Sequence, residues 1–311
     1  VGRQLTGAGA RAGRLIGGAV AVAAAGLAYA HLETKLFTVR HVTVPVLPPG
    51  EADLRVLHLS DLHLTPAQER KIAWVRSLAA LDPHLVVDTG DNLAHVDSLG
   101  PALHALEPLL RVPGAFVMGS NDYYSPVPKN PARYLLPDAR VAPTRPPEMP
   151  AGELADAMRS AGWKDLTNRR DAVVADGRTL SLVGVDDPHL DHDDFPPPAP
   201  TEDGVLHLGV SHAPYRRVLD RMHADGADVV LAGHTHGGQL RVPGFGALVT
   251  NCDVDRRRAS GLHGWPGPRP DEAGGAGSTW LHVSAGAGTS PYAPVRFACR
   301  PEATLLTFTT R

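Results

Sequence analysis

At 311 residues, 43% hydrophobic and 20% charged, the chain is long enough to bury a sizeable core and too apolar to be disordered. A formal charge of -3 leaves no global basic footprint, which disfavours a sequence-reading DNA or RNA binder. Two cysteines, Cys252 and Cys299, exclude a disulfide scaffold and a cysteine-only zinc ribbon and leave open one bridge between them.

The N-terminus carries Arg3, Arg11 and Arg14 and no acid, followed by an uncharged stretch, 15–30, of mostly Ala, Gly, Val and Leu. That order reads as a membrane anchor or an export signal. The stretch is shorter than the ~20 residues of a spanning helix. Ala28-Tyr29-Ala30 fits the small-x-small pattern of a cleaved signal. A helix packed on the domain is the plain alternative. As an anchor, the segment leaves its arginine-bearing end in the cytoplasm and the rest of the chain outside; as a cleaved signal, it gives a secreted protein. The chain divides into this segment with its linker, 1–40, and one domain, 41–311.

Beyond residue 53, short apolar runs alternate with amphipathic stretches, the pattern of a layered α/β domain. Strands are expected at 54–59, 85–87, 115–118, 180–185, 205–210 and 228–232, and helices at 67–81, 101–110, 153–161 and 215–224. An acidic, proline-rich segment, 186–203, and a Gly/Pro/Arg-rich one, 253–278, read as long loops.

The residues just after the strands repeat one theme: Ser60-Asp61-Leu62-His63, Gly90-Asp91-Asn92, Gly119-Ser120-Asn121-Asp122, Ser211-His212 and Gly233-His234-Thr235-His236. Ligands bind at the carboxyl ends of strands in an open α/β sheet, so these loops can converge. Asp, His and Asn donors without thiolate suit divalent manganese, zinc or iron. One ion could hardly use all of them; two ions sharing a carboxylate could, and such a pair suits an in-line displacement at phosphorus.

In order and character these motifs resemble the calcineurin-like metallophosphoesterases, over residues 53–308, most closely their membrane-associated or exported bacterial branch. The resemblance implies a four-layer αββα sandwich of two mixed β-sheets with a dinuclear site at the sheet edges. By it, Asp61, His63, Asp91 and His236 hold one cation, Asp91 bridges, and an amide, His212 and His234 hold the second. The family's usual third loop reads Gly-Asn-His-Asp or Gly-Asn-His-Glu, and the histidine is missing here. Gapless alignment puts Ser120 at the ligand position; matching by chemistry puts Asn121 there and Asp122 in the histidine's place. An amide oxygen is the better donor, which favours Asn121.

These readings imply a metal-dependent phosphomonoesterase or phosphodiesterase in which a hydroxide bridging two cations attacks phosphorus in line. Asp122, Asn121 or water would protonate the leaving group. A binder of metal and an anionic ligand without turnover is the alternative, because of the altered loop. A lactamase-like amidase is disfavoured, since its opening His-x-His-x-Asp-His is absent. The substrate expected is a phosphoester, lipid- or envelope-linked if the N-terminal segment sits in a membrane. Other histidines (His58, His84, His104, His207, His223 and His282) read as packed or surface side chains. The run 191–194 reads as a solvated loop, and Arg256-Arg257-Arg258 as a turn or a rim that attracts anions.

Overall fold

The structure is a computed structural model and describes residues 7–128, 144–199 and 204–311, with side chains from residue 14 onward. Helix α1 (Gly7–Glu33) is rich in strong helix formers and ends where Thr34 Oγ1 donates to the His31 carbonyl at 2.7 Å. Its segment Arg14–Glu33 is long and apolar enough to cross a membrane, roughly 30 Å at the α-helical rise. Leu15, Ile16, Val20, Val22 and Leu27 are exposed, whereas Ala30 and Glu33 are buried against the body. Only the last turns of this helix are packed on the domain.

The body follows as β1 (Thr38–Leu47), β2 (Leu54–Leu59), α2 (Glu69–Ser77), β3 (Leu85–Asp88), α3 (Leu99–Leu106), β4 (Gly114–Phe116), the one-turn α4 (Ser120–Tyr123), α5 (Ala151–Ser160) and β5 (Lys164–Asp165). The second half runs β6 (Arg169–Ala175), β7 (Arg178–Gly184), β8 (His207–Ser211), α6 (Arg216–Ala224), β9 (Val229–Ala232), the small hairpin β10 (Arg241–Val242) and β11 (Gly246–Ala247), β12 (Gly261–Trp265), β13 (Thr279–Val283) and β14 (Glu302–Thr310). Two six-stranded sheets result, ordered β1-β14-β2-β3-β4-β5 and β12-β13-β9-β8-β7-β6. Both are mixed: β14 runs antiparallel to β2, and β12 and β6 run antiparallel to their neighbours.

Strand alternation builds the layers. Leu57 and Leu59 face Ile72, Val75, Leu106, Leu154 and Met158 of the helices over the first sheet. Leu54 and Val56 face the other way and meet Leu208, Val210, Val229 and Leu231 of the second sheet. Val230, Leu281 and Val283 turn outward onto Val218, Leu219 and Met222 of α6. Three apolar interfaces thus separate four layers, α, β, β and α, as expected.

The register positions the site. Leu59 pairs with Asp88 and Asp88 with Phe116, so β2, β3 and β4 end level. On the second sheet Gly184 pairs with Val210, Ser211 with Ala232 and Ala232 with Val283. The turns after these strands therefore open onto one edge.

One expectation is corrected. The segment 253–278 is not a continuous loop, because β12 lies within it and pairs residue by residue with β13. Its Gly-Leu-His-Gly-Trp sequence hides the strand, whose stability comes from the partner. The 186–203 segment contains one 3-10 turn, Pro188–Leu190, and its end from residue 200 lies outside the described residues. Cys252 and Cys299 do not bridge to each other.

Candidate metal centre

The first turn leaves β2 with Asp61 and His63 in the left-handed region, at φ 51° and 42°. This conformation is costly for side-chain-bearing residues and is held by bonds to the neighbouring loop: Asp61 N donates to the Gly90 carbonyl and His63 N to the Asp91 carbonyl, each at 2.9 Å. Leu62 and Leu64 fill the core and leave Asp61 and His63 facing the edge. Asp61 Oδ2 accepts from Ser60 Oγ at 2.5 Å and from His234 N at 3.0 Å. Its Oδ1, also buried, has no hydrogen-bond partner among the described residues and lies 3.6 Å from His236 Nε2 and 3.9 Å from His63 Nε2. A Cβ on Gly286, at φ 70°, would stand 2.6 Å from the Asp61 Cβ.

Asp91 occupies the middle. Its Oδ1 accepts from Asn121 N and its Oδ2 from Asn121 Nδ2, both at 2.7 Å. Oδ2 also lies 3.4 Å from His63 Nε2 and 3.6 Å from His212 Nε2. Gly119 permits this approach, because a Cβ there would sit 2.4 Å from Asp91 Oδ1.

His212 and His234 are fixed by their other nitrogens, as ligand histidines are. His212 Nδ1 meets the Thr89 carbonyl at 2.7 Å, which turns the Nε2 lone pair toward Asp91. His234 Nε2 meets the Asn251 carbonyl at 3.2 Å, and its Nδ1 lies 3.2 Å from His212 Nε2. His63 and His236 bring their Nε2 atoms to 3.2 Å. Ligand atoms of Asp61, His63 and His236 all fall within 4.8 Å of one another, and so do those of Asp61, Asp91 and His212. The orphaned Asp61 oxygen, the carboxylate–imidazole donor set and the convergent lone pairs fit divalent cations.

Electrostatics agree with that fit. Burial brings the His63 imidazole down to about 4 and holds His234 and His236 well below the usual value, so all three are neutral with a lone pair available. Burial lifts the Asp61 carboxyl to about 6. Against the same push of burial, the His212 and His63 rings hold the Asp91 carboxyl below its ordinary value. His212 is raised to about 9: burial opposes its charge, and the carboxylates of Asp91, Asp187 and Asp61 outweigh burial. Close carboxylates that want positive charge beside neutral imidazoles make a cation site.

The third loop departs from one expectation. Asp122 is buried, and its carboxylate accepts from the backbone N–H groups of Asp91, Asn92, Leu93 and Gly119 at 2.8, 2.8, 3.2 and 3.0 Å. It faces the loop backbone instead of standing in the missing histidine's place. Asn121 lies on Asp91, and half-buried Ser120 sits beside it with Oγ 3.5 Å from Asn121 Nδ2. Tyr123 donates to Asp186 at 2.9 Å. The run 191–194 is tied to Arg217 through Asp191 and Asp193, at 3.0 and 2.6 Å.

Sequence reasoning missed three residues. Arg296, fully buried, donates from one terminal nitrogen to the carbonyls of Ala285, Gly286 and Gly288 and lies 3.3 Å from His236 Nδ1. It locks the glycine turn to the His236 loop. His189 places its ring 4.3 Å from that of His234, and buried Asp187 accepts from His189 N at 2.8 Å. Both stand in a segment read only as a loop; the sole cue was a histidine and an aspartate flanking a proline.

Comparison with known proteins agrees with this geometry. Residues 54–238 match the family model for calcineurin-like phosphoesterases. An uncharacterized metallophosphoesterase of Aquifex aeolicus is 28% identical over 247 residues, 74% of this chain and 81% of that protein. Phosphodiesterase YaeI of Escherichia coli is 31% identical over 153 residues, 49% of this chain and 50% of that protein. The UDP-2,3-diacylglucosamine pyrophosphatase LpxG of Chlamydia trachomatis is 28% identical over 323 residues, 89% of this chain and 90% of that protein. The chain belongs to the calcineurin-like phosphoesterase family and is a metal-dependent phosphoesterase.

Proposed function

We propose that the centre holds two divalent cations, of manganese, zinc or iron, that share Asp91, and that it hydrolyses a phosphoester carried by a lipid or another envelope molecule. The observation that carries this reading is the position of Asp91 Oδ2, 3.4 Å from His63 Nε2 on one side and 3.6 Å from His212 Nε2 on the other. Asp61, His63 and His236 serve the first cation; His212, His234 and the third-loop Asn121 or Ser120 serve the second. Bound cations of this kind lower the pKa of a water toward about 7 and neutralise phosphoryl oxygens.

The chain's own groups do the rest. Thr89 and Asn251 orient His212 and His234; Arg296 stiffens the turn behind His236; Asn121 fixes the angle of Asp91. With Asp122 committed to backbone N–H groups, the leaving oxygen takes its proton from water, so the rate falls steeply as leaving-group pKa rises. A lipid-linked substrate is supported by the pyrophosphatase relative, named for a diacylated sugar nucleotide, and by the apolar helix α1. On this reading residues 1–40 anchor a catalytic domain, 41–311, outside the cytoplasm.

Asp91→Asn tests the centre. It should lower metal content and cut hydrolysis of an aryl phosphodiester by more than the ~10–100-fold that loss of a supporting group costs. Full metal content and rate in that variant would refute the shared role. A manganese-loaded protein inert on mono- and diesters would make the centre an anion-binding one.

A further inference from the structure

Helix α1 joins the body at one place, and an exposed apolar surface begins there. Glu33 accepts from Cys299 N at 2.6 Å and from Ala298 N at 3.0 Å, and Arg296 N donates to the Ala30 carbonyl at 2.8 Å. The ring of Tyr29 stands edge-on to Phe297, 5.8 Å between centroids. Phe297 in turn accepts from Arg241 N at 2.9 Å, at the start of the β10–β11 hairpin. The hairpin leaves the fold directly after the turn that carries His236, with Leu240 N bonded to the Gly238 carbonyl at 2.5 Å.

Its apolar side chains point into solvent. Phe245, at the tip, is 59% exposed, and Leu240, Val242 and Leu248 are 43%, 45% and 41% exposed. Leu240 and Val242 are two residues apart and so share one side of the extended chain. The described residues leave about half of each uncovered, although a monomer in water gains by covering such a cluster. Cations rim the same patch. The Arg256 guanidinium lies 4.8 Å from the Phe245 ring centroid, and Arg257 is exposed beside it. Neither makes an ion pair with a carboxylate among the described residues. An open groove of about 790 Å³ runs between Phe245, these arginines and Ala298.

We propose that the hairpin 240–248 is a second membrane contact, seated on an anionic bilayer beside the end of α1, with Phe245 at the acyl boundary and Arg256 and Arg257 among the headgroups. Charge and continuity select this occupant. An apolar tip flanked by exposed arginines has the composition of an interfacial element. The exposed apolar side of α1 ends beside it, with Tyr29 at the level where tyrosines gather at a membrane surface. Because the hairpin is continuous with the His236 turn, seating it brings the metal centre to headgroup depth. The inference rests on α1 lying in a bilayer, not on turnover at the metal centre, so hydrolysis of a soluble aryl phosphodiester by the same protein reports on the proposed function separately.

The test uses the full chain carrying Phe245→Trp, with Val242→Trp as a second reporter. Emission of the added tryptophan is read as the difference from the unmodified protein, with phosphatidylcholine vesicles containing or lacking phosphatidylglycerol. Expected are a blue shift and quenching by brominated acyl chains in the anionic vesicles. Both should weaken at high salt and by at least about fivefold for each of Arg256→Glu and Arg257→Glu. Three outcomes would overturn the proposal: vesicles that bind the protein while both reporters keep their aqueous emission, vesicles that do not bind it, or a blue shift that grows with protein concentration without vesicles. The last would assign the patch to a second copy of the chain.

Discussion

Asp122 accepts four backbone N–H bonds, three from the Asp91–Leu93 turn and one from Gly119. Its carboxylate therefore joins two loops of the candidate centre, and Asp91 and Asn121 inherit their positions from it. Asp122→Ala would strand these buried donors at a cost of about 3 kcal/mol or more, measured as a lower urea midpoint. Among variants that still fold, Asp122→Asn should leave the dependence of rate on leaving-group pKa unchanged, since on the proposed reading the leaving oxygen takes its proton from water. A steeper dependence would return it to the role of acid. The motif that held this residue was visible in the sequence. Its orientation was not, because a carboxylate beside a ligand can equally face the substrate or the backbone.

At the scale of elements, one side chain of α1 ties two backbone N–H groups of the body, beside the contacts of Ala30 and Tyr29. The Glu33 carboxylate holds Ala298 N and Cys299 N, and the segment it holds carries Arg296 under the His236 turn. Removing it as Glu33→Ala should cost about 1–3 kcal/mol and lower metal affinity at His236 more than at His212, seen as loss of one cation before the other on titration with a chelator. Loss of both together would show that the link does not act through that turn. Helices α2, α3, α5 and α6 and strands β2, β3, β4, β7, β8 and β9 were legible from their apolar runs. Strands β1, β5, β6 and β10 to β14 were not. Asp176-Gly177, both at positive φ, turns β6 into β7 and is a hairpin signal that could have found β6. β1 and β14 offered no hairpin turn, because they pair with each other across more than 250 residues.

Across the whole molecule, the two sheets meet at a buried pair of histidines. His58 Nδ1 lies 2.8 Å from His282 Nδ1, and His58 Nε2 3.1 Å from Thr89 Oγ1. A single shared proton fits that contact; two cations do not. Burial holds His58 well below 6.5 and brings His282 to about 3. The unfolded chain therefore binds protons near pH 6.5 that the folded chain refuses, so stability is full above that pH and falls as the pH drops below it. Each ring contributes up to about 1.4 kcal/mol per pH unit, and His282→Asn should remove about that much from the slope of unfolding free energy against pH, by urea melts between about pH 5 and 7. An unchanged slope would mean that the ring titrates freely in the fold. By itself the sequence determined the donor types, their order and the α/β class, because period, turn residues and ligand chemistry are local properties. Tertiary structure alone decided which oxygen of Asp61 stays unpaired, which way Asp122 turns, and that Arg296 and His189 join the centre. Those outcomes depend on strand register and loop packing between residues far apart in the chain, and no local pattern encodes them.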